Sequence, residues 1–314
     1  MAYMVAGASA FVAGWLRTRY RKDLARARTR LAAYSPLRAH LPAGTVEYAI
    51  VGDGIPVLEV HGIFGGFDQG LVVARPLLGN GFRIIAPSRF GYLGTPLPHN
   101  ASPASQADAF AELLDHLAIK RAAVVAHSAG SPSAIQMALR HPERVTSLVL
   151  VVPAAPGPGP VAPPKPLTQA LFKSDAVAWL FATFFPGVLP VGVPKGLPLS
   201  AQDRRELATT FATMLPATAR KDGFLFDMYV SAPSINSGYP FDQISVPTLV
   251  VTAADDPLAF PENARRLALA IPKAGLFEVE RGGHLLLGQA EVVGRKVREF
   301  IAARAADRLV AVSQ

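Results

Sequence analysis

The chain has no cysteine. Disulfides, thiol nucleophiles and cysteine-ligated metals are therefore excluded, while the redox compartment is left open. Charge is scarce as well. Only 17% of residues are Asp, Glu, Lys or Arg, yet the net charge is +8. Its distribution decides what that imbalance means. Residues 17–38 hold Arg17, Arg19, Arg21, Lys22, Arg26, Arg28, Arg30 and Arg38 against the single acid Asp23. That short arm carries a net +7 and leaves about +1 for everything else. A nearly neutral body gives no footing for nucleic-acid binding by the folded part.

Long apolar runs are also wanting. "MAYMVAGASAFVAGWL" is uncharged for sixteen residues, short of the roughly 20 that a spanning helix needs. No basic segment precedes it, as one would in a secretory signal. Residues 1–38 thus form an apolar then basic arm with two readings. One is an anchor whose basic helix meets an anionic membrane, with the body on the cytoplasmic side. The other is a helical extension packed on the body.

What is present is a large apolar inventory. Half of the 314 residues are hydrophobic and 17 are Phe, enough to bury a sizeable core. Between residues 45 and 155 strand and helix signals alternate. "TVEYAIV" and "IPVLEV", joined through "GDG", read as a hairpin. "FRIIAPS", "AAVVAHS" and "VTSLVLVV" read as further strands, separated by helical stretches such as "SPASQADAFAELLDHLAI" and "SPSAIQMALR". Apolar strands alternating with helices predict an α/β fold: a mostly parallel twisted sheet covered by helices on both faces. Residues 153–198 then hold eleven prolines, which cannot join a sheet interior. "SVPTLVVTAAD" restores the strand signal. The chain therefore divides into the arm (1–38), a first core part (39–155), a mainly helical insertion (156–242) and a second core part (243–314).

In an open parallel sheet, chemistry gathers at the carboxyl ends of the strands. His61 to Gly66, "HGIFGG", follow "VLEV"; Ser128 follows "AAVVAH"; Asp255 and Asp256 follow "TLVVTAA"; His284 follows "LFEVERGG". A nucleophile, two carboxylates, an imidazole and a Gly-rich loop each fall at a strand end. Ser128 stands between a strand and a helix and is flanked by small residues, as a sharp turn requires. An N-cap serine is the plainer alternative.

These residues resemble those of the α/β-hydrolase fold enzymes over nearly all of residues 40–310. "AHSAG" is similar to the nucleophile elbow G-x-S-x-G, with Ala126 in place of the first Gly; "HGIFGG" resembles the oxyanion-loop motif, and "GGH" the histidine loop. The resemblance implies a serine hydrolase with a lid at residues 156–242. It implies Ser128 as nucleophile and His284 as base. It favours Asp256 over Asp255 as the acid, because Ala253 takes the place of the Gly that ends the strand in such sequences. Ile63 and Ala129 become the oxyanion-hole N–H donors, with Phe64 a further candidate. Phe64, His127 and Leu285 are candidate pocket residues. His61 is read as ordering the oxyanion loop, and "SRFGYLGT" as structural support. No two histidines stand at a metal-ligand spacing, and no dinucleotide fingerprint occurs, so neither metal nor cofactor is expected.

The insertion carries Phe172, Trp179, Phe181, Phe184, Phe185, Phe211, Met214, Phe224 and Phe226. Most must pack the insertion onto the core; the remainder would give a cleft beneath them an apolar wall. The expected activity is hydrolysis of carboxylic esters with apolar acyl or aromatic groups, through an acyl-enzyme on Ser128. Cleavage of a C–C bond, lactone or amide, or perhydrolysis, would use the same triad. A non-catalytic ligand-binding member of the fold stands as the rival of another class. Oligomeric state is not legible.

Overall fold

A computed structural model describes residues 2–184 and 192–311, with side chains from 11 to 184 and from 192 to 305; Phe185 lies outside the described residues. The strands are β1 Leu37–Leu41, β2 Gly44–Val51, β3 Ile55–Val60, β4 Phe82–Pro87, β5 Ala122–His127, β6 Val145–Val151, β7 Thr248–Ala253 and β8 Gly275–Val279. They form one sheet in the order β1-β2-β4-β3-β5-β6-β7-β8. From β4 onward in that order all pairings are parallel; β2 runs antiparallel to both of its neighbours.

The helices are α1 Ala2–Ala33, α2 Phe67–Leu78, α3 Pro103–His116, α4 Ser131–Arg140, α5 Lys165–Leu171, α6 Asp175–Phe184, α7 Ala201–Ala212, α8 Lys221–Phe226, α9 Ala232–Ser234, α10 Pro261–Ala270 and α11 Ala290–Ala311. One face of the sheet is covered by α3, α4 and α10. The other is covered by α2 and α11, with Leu31 and Tyr34 from the end of α1 and just beyond it. Alternate residues of β5 enter the two cores: Val124 and Ala126 on one side, Ala123 and Val125 on the other. Burial on both faces is why this strand reads as a continuous apolar run rather than an alternating one.

The expected hairpin between "TVEYAIV" and "IPVLEV" does not form. β2 pairs with β1 and β4, and β3 pairs with β4 and β5, so β4 lies between the two. Gly52 and Gly54, both at positive φ, turn the chain over the entry to β4. A side chain at Gly54 would collide with the Gly81 backbone. The tight turn is a crossover, and the actual hairpin joins β1 to β2.

The elements between β6 and β7 are the helices α5 to α9 with short 3-10 and π turns. Alongside them lies α1. Tyr20 packs against Trp179 with ring centroids 5.6 Å apart, and the Trp179 indole N–H donates to Asp23 at 3.0 Å. Arg30 donates to Asp68 of α2 at 3.2 Å and to the Leu215 carbonyl at 3.0 Å. Over residues 20–31, α1 is thus a packed helical extension, the second of the two readings of the arm. Among the described residues, no helix is long and apolar enough to cross a membrane.

Candidate active site

The strand order sets the site. β5 lies beside β3, so the loops that follow them, with Ser128 and residues 61–66, are neighbours at the carboxyl edge. β7 and β8 lie two and three places from β5, and their loops must reach back toward it.

Ser128 has φ +48, a left-handed conformation that is uncommon for a residue with a side chain. Close packing explains how the turn is held. A Cβ at Gly130 would meet the Val60 carbonyl at 2.5 Å and the His61 carbonyl at 2.7 Å, so only glycine lets the start of α4 approach β3. Ala126 is fully buried between strands, and a methyl group fits where the motif usually has glycine.

The structure brings Ser128, His284 and Asp256 into one chain of hydrogen bonds. His284 Nε2 lies 2.8 Å from Ser128 Oγ, and His284 Nδ1 lies 2.8 Å from Asp256 Oδ2. An ionised carboxylate can only accept, so Nδ1 carries the proton and Nε2 is left to accept from the hydroxyl. Asp256 is 4% exposed. Its other oxygen accepts from the Leu258 and Ala259 N–H groups at 2.8 and 3.0 Å, which locks its orientation.

Asp255 has a different place. Its two oxygens accept from the N–H groups of Gly282 and Gly283, at 3.2 and 2.8 Å. It holds the loop that carries His284 and does not touch the imidazole. From the insertion, the Gly192 carbonyl accepts from the His284 N–H at 2.8 Å. The insertion therefore sits directly on the histidine loop.

Ala129 is buried beside Ser128, Ile63 is half-buried, and Leu285 lies half-buried in the turn after His284. Phe64, at φ +59, points its ring at the insertion and stacks on Phe224 with centroids 4.1 Å apart. His127 Nδ1 is 2.7 Å from Glu59 Oε1. His61 is fully buried. The Arg89 N–H donates to its Nε2 at 3.0 Å, so the ring proton sits on Nδ1 and is donated to the Gly62 carbonyl at 2.7 Å. Burial, then the charge of Arg89, holds this imidazole well below its ordinary range. It stays neutral and occupied, unsuited to act as a base. Among the described residues, no three His, Asp or Glu side chains gather as a metal would require.

Sequence reasoning missed Glu59, Arg89 and Asp227. Arg89 is 2% exposed and Asp227 fully buried, and they form a two-pronged pair, Nη1 to Oδ1 at 2.6 Å and Nη2 to Oδ2 at 2.5 Å. The Tyr92 hydroxyl donates to the same carboxylate at 2.5 Å. A second buried pair, Arg220 with Asp68, ties the insertion to α2. The available signal was charge inside otherwise apolar or loop segments, which does not reveal a partner 68 to 152 residues away.

Residues 55–290 match the α/β-hydrolase fold family. A 2-hydroxymuconate semialdehyde hydrolase of Pseudomonas putida is 28% identical over 80% of this chain and 88% of its own length. A poly(3-hydroxyalkanoate) depolymerase of Ectopseudomonas oleovorans is 30% identical over 79% of this chain and 86% of its own. Among solved structures, an alpha/beta hydrolase fold protein from Nakamurella multipartita covers 86% of this chain and 99% of its own, at 30% identity and a TM-score of 0.71. With its sheet order, its strand-end residues and this match in agreement, the chain belongs to the α/β-hydrolase fold family.

Proposed function

We propose that the protein is a serine hydrolase that cleaves carboxylic esters of apolar acyl or aromatic groups. The unbroken line Ser128–His284–Asp256, with both contacts at 2.8 Å, carries this reading. A serine hydroxyl becomes a nucleophile when a base takes its proton as it attacks. His284 takes that proton, and Asp256 stabilises the imidazolium. The N–H groups of Ala129 and Ile63 meet the charge that develops on the carbonyl oxygen. One such donor contributes about 3–4 kcal/mol. His284 returns the proton to the leaving alcohol, and water activated by the same imidazole releases the acid.

Two observations support an apolar, uncharged substrate. Phe64, Phe172 and Phe224 pack together where the insertion meets the strand-end loops, so residues 156–242 act as a lid with an apolar underside. The guanidiniums near the oxyanion loop, Arg89 and Arg220, are each engaged by a buried carboxylate and are not free to bind an acidic substrate. The relative named for 2-hydroxymuconate semialdehyde favours a second reading, hydrolysis of a carbon–carbon bond by the same triad. The test is a panel of p-nitrophenyl esters, lactones, amides and β-diketones, with Ser128→Ala as control. Ester turnover that vanishes in the variant, with fluorophosphonate labelling lost alongside, supports the first reading. Turnover of diketones alone selects the second, and no labelling of the native protein rejects both.

We infer a partner for the arm as well. Phe11, Val12 and Trp15 stand exposed on α1, and Arg17, Arg19, Arg21, Lys22, Arg26 and Arg28 are exposed just beyond them. An apolar tip followed by cations suits the surface of an anionic membrane. This tethers the protein without spanning, with the body on the cytoplasmic side.

A further inference from the structure

One route from the insertion to the loop beside Ser128 runs through Arg89 to a single peptide unit, Gly62–Ile63. That peptide lies against Ser128: a Cβ at Gly62 would stand 3.4 Å from both the Ser128 Cβ and the His127 carbonyl. Its carbonyl accepts twice, from His61 Nδ1 at 2.7 Å and from Arg89 Nη2 at 3.1 Å. Arg89 Nε also donates to the preceding His61 carbonyl at 2.9 Å. The peptide is trans: among the described residues the one cis bond is Leu215–Pro216. In a trans peptide the C=O and N–H point in opposite directions across one plane. Pinning the Gly62 oxygen therefore aims the Ile63 N–H the other way. A cation on that oxygen also draws electron density through the amide and strengthens the N–H as a donor.

Arg89 cannot hold this position alone. A buried guanidinium needs a countercharge, and the one it has comes from the insertion. Asp227 opens a π-helical turn, Asp227–Ser231, of the kind that recurs at functional sites. Its carboxylate meets both Nη atoms of Arg89. Burial alone would favour loss of the Arg89 proton, but the charge of Asp227 and its hydrogen bonds overcome this and hold the guanidinium ionised. The insertion grips the next residues of the loop too. The Phe64 ring is stacked on Phe224 and lies 5.4 Å from Phe172. From α2, Gln69 donates to the Ile63 carbonyl at 3.2 Å.

We propose that Arg89 and Asp227 are positioning residues that set the Ile63 N–H for the oxyanion, so that the insertion governs the competence of the oxyanion hole as well as covering the site. This rests on the serine hydrolase reading above. Neither residue touches substrate. Their effect falls on the tetrahedral state, in which the oxygen bears charge, and leaves ground-state binding almost unchanged.

The experiment compares the full-length protein with Asp227→Asn and Arg89→Lys, the latter keeping the charge while losing the fork that spans two carbonyls. Labelling of the native protein by fluorophosphonate is scored first, since its absence overturns the hydrolase reading and this proposal with it. On p-nitrophenyl butyrate, kcat is expected to fall roughly tenfold to hundredfold in each variant, with KM within about twofold, a share of the about 10²–10³ that a lost oxyanion donor costs. Affinity for an alkyl trifluoromethyl ketone, which forms a tetrahedral adduct on the serine, is expected to fall by the same factor. The Ile63 amide proton resonance is expected to move upfield in both variants as its polarisation is lost. Tyr92→Phe keeps the ion pair and is expected to keep kcat within about threefold. Folded variants with unchanged kcat and ketone affinity, or with a loss confined to KM, would overturn the proposal. If Asp227→Asn does not fold, Arg89→Lys decides it alone.

Discussion

Glu59 and His127 form an imidazole–carboxylate pair of their own, 2.7 Å apart, one residue before Ser128. Glu59 is fully buried on β3, and its second oxygen has no hydrogen-bond partner among the described residues. Burial raises this carboxyl above its ordinary value of 4.5, against the pull of His127. A carboxyl raised in the folded state favours folding in its protonated form. Its penalty is absent below about pH 4.5 and complete once pH exceeds the folded value. Glu59→Gln, which can still accept from His127 Nδ1, is therefore expected to raise the melting temperature at pH 7 and to leave it unchanged at pH 4. Calorimetry at the two pH values checks this; an equal shift at both would show that the effect is packing and not ionisation.

Asp255 and Asp256 are adjacent in sequence and separate in task. Asp256→Asn leaves the shape intact but allows the side-chain amide to face His284 Nδ1, favouring the wrong tautomer. A loss of about 10⁴ in kcat is expected, as for a triad aspartate elsewhere. Asp255→Asn keeps one acceptor for the Gly282 and Gly283 N–H groups, and a loss of about tenfold or less is expected. The two single variants, assayed on one ester at pH 8, give the comparison. A reversed ranking would assign the imidazole's partner to Asp255.

The sheet class and the strand-end positions of Ser128, Asp255, Asp256 and His284 were legible because each rests on local pattern. Near-continuous apolar runs and the small residues around Ser128 mark positions where the backbone itself dictates residue type. Whether Asp255 or Asp256 meets His284 was decided by a resemblance, since both stand at the same strand end. The pairing of β2 was misread because Gly-Asp-Gly supplies a tight turn whether the next strand pairs with the last or crosses past β4. Helix α2 was hidden by Gly70 and Pro76 within it, although it is buried against the sheet. The links from Arg89 to Asp227 and from Asp68 to Arg220 span 138 and 152 residues. Charge pairing at that range has no periodicity for a reader to find.

Asp68 is fully buried with two guanidiniums on it, Arg220 at 2.9 Å and Arg30 at 3.2 Å. The two differ in exposure: the Arg220 side chain is 1% accessible, that of Arg30 21%. Removing Arg220 takes away the donor that meets both Asp68 oxygens and leaves the buried carboxylate with only the partly exposed Arg30 as countercharge among the described residues. A loss of about 3–5 kcal/mol is expected for Arg220→Ala. Arg30→Ala leaves Asp68 paired and opens α1 to solvent at one point, for an expected loss of about 1 kcal/mol. Urea unfolding of both variants measures the difference. Equal losses would mean that α1 is as integral to the body as the insertion is.

The packing of α1 determines how the proposed membrane contact must be tested. Removing residues 1–38 would strip Tyr20 and Asp23 from Trp179 and Arg30 from Asp68, so lost activity would say nothing about lipid. Truncation after residue 15 removes the apolar tip and spares those contacts. That form is expected to keep its ester turnover and to bind vesicles containing phosphatidylserine several-fold more weakly. Replacing Arg17, Arg19, Arg21 and Lys22 by Gln leaves the tip and removes about 1 kcal/mol of attraction per charge. Its residual binding is expected to depend more weakly on salt between 20 and 200 mM (roughly 20 to 7 Å of screening length) than native binding, since only Arg26 and Arg28 of the six exposed cations remain. Native protein that ignores anionic and neutral vesicles alike would leave α1 as a brace for the insertion. In that case the exposed cations at its outer end would serve solubility alone.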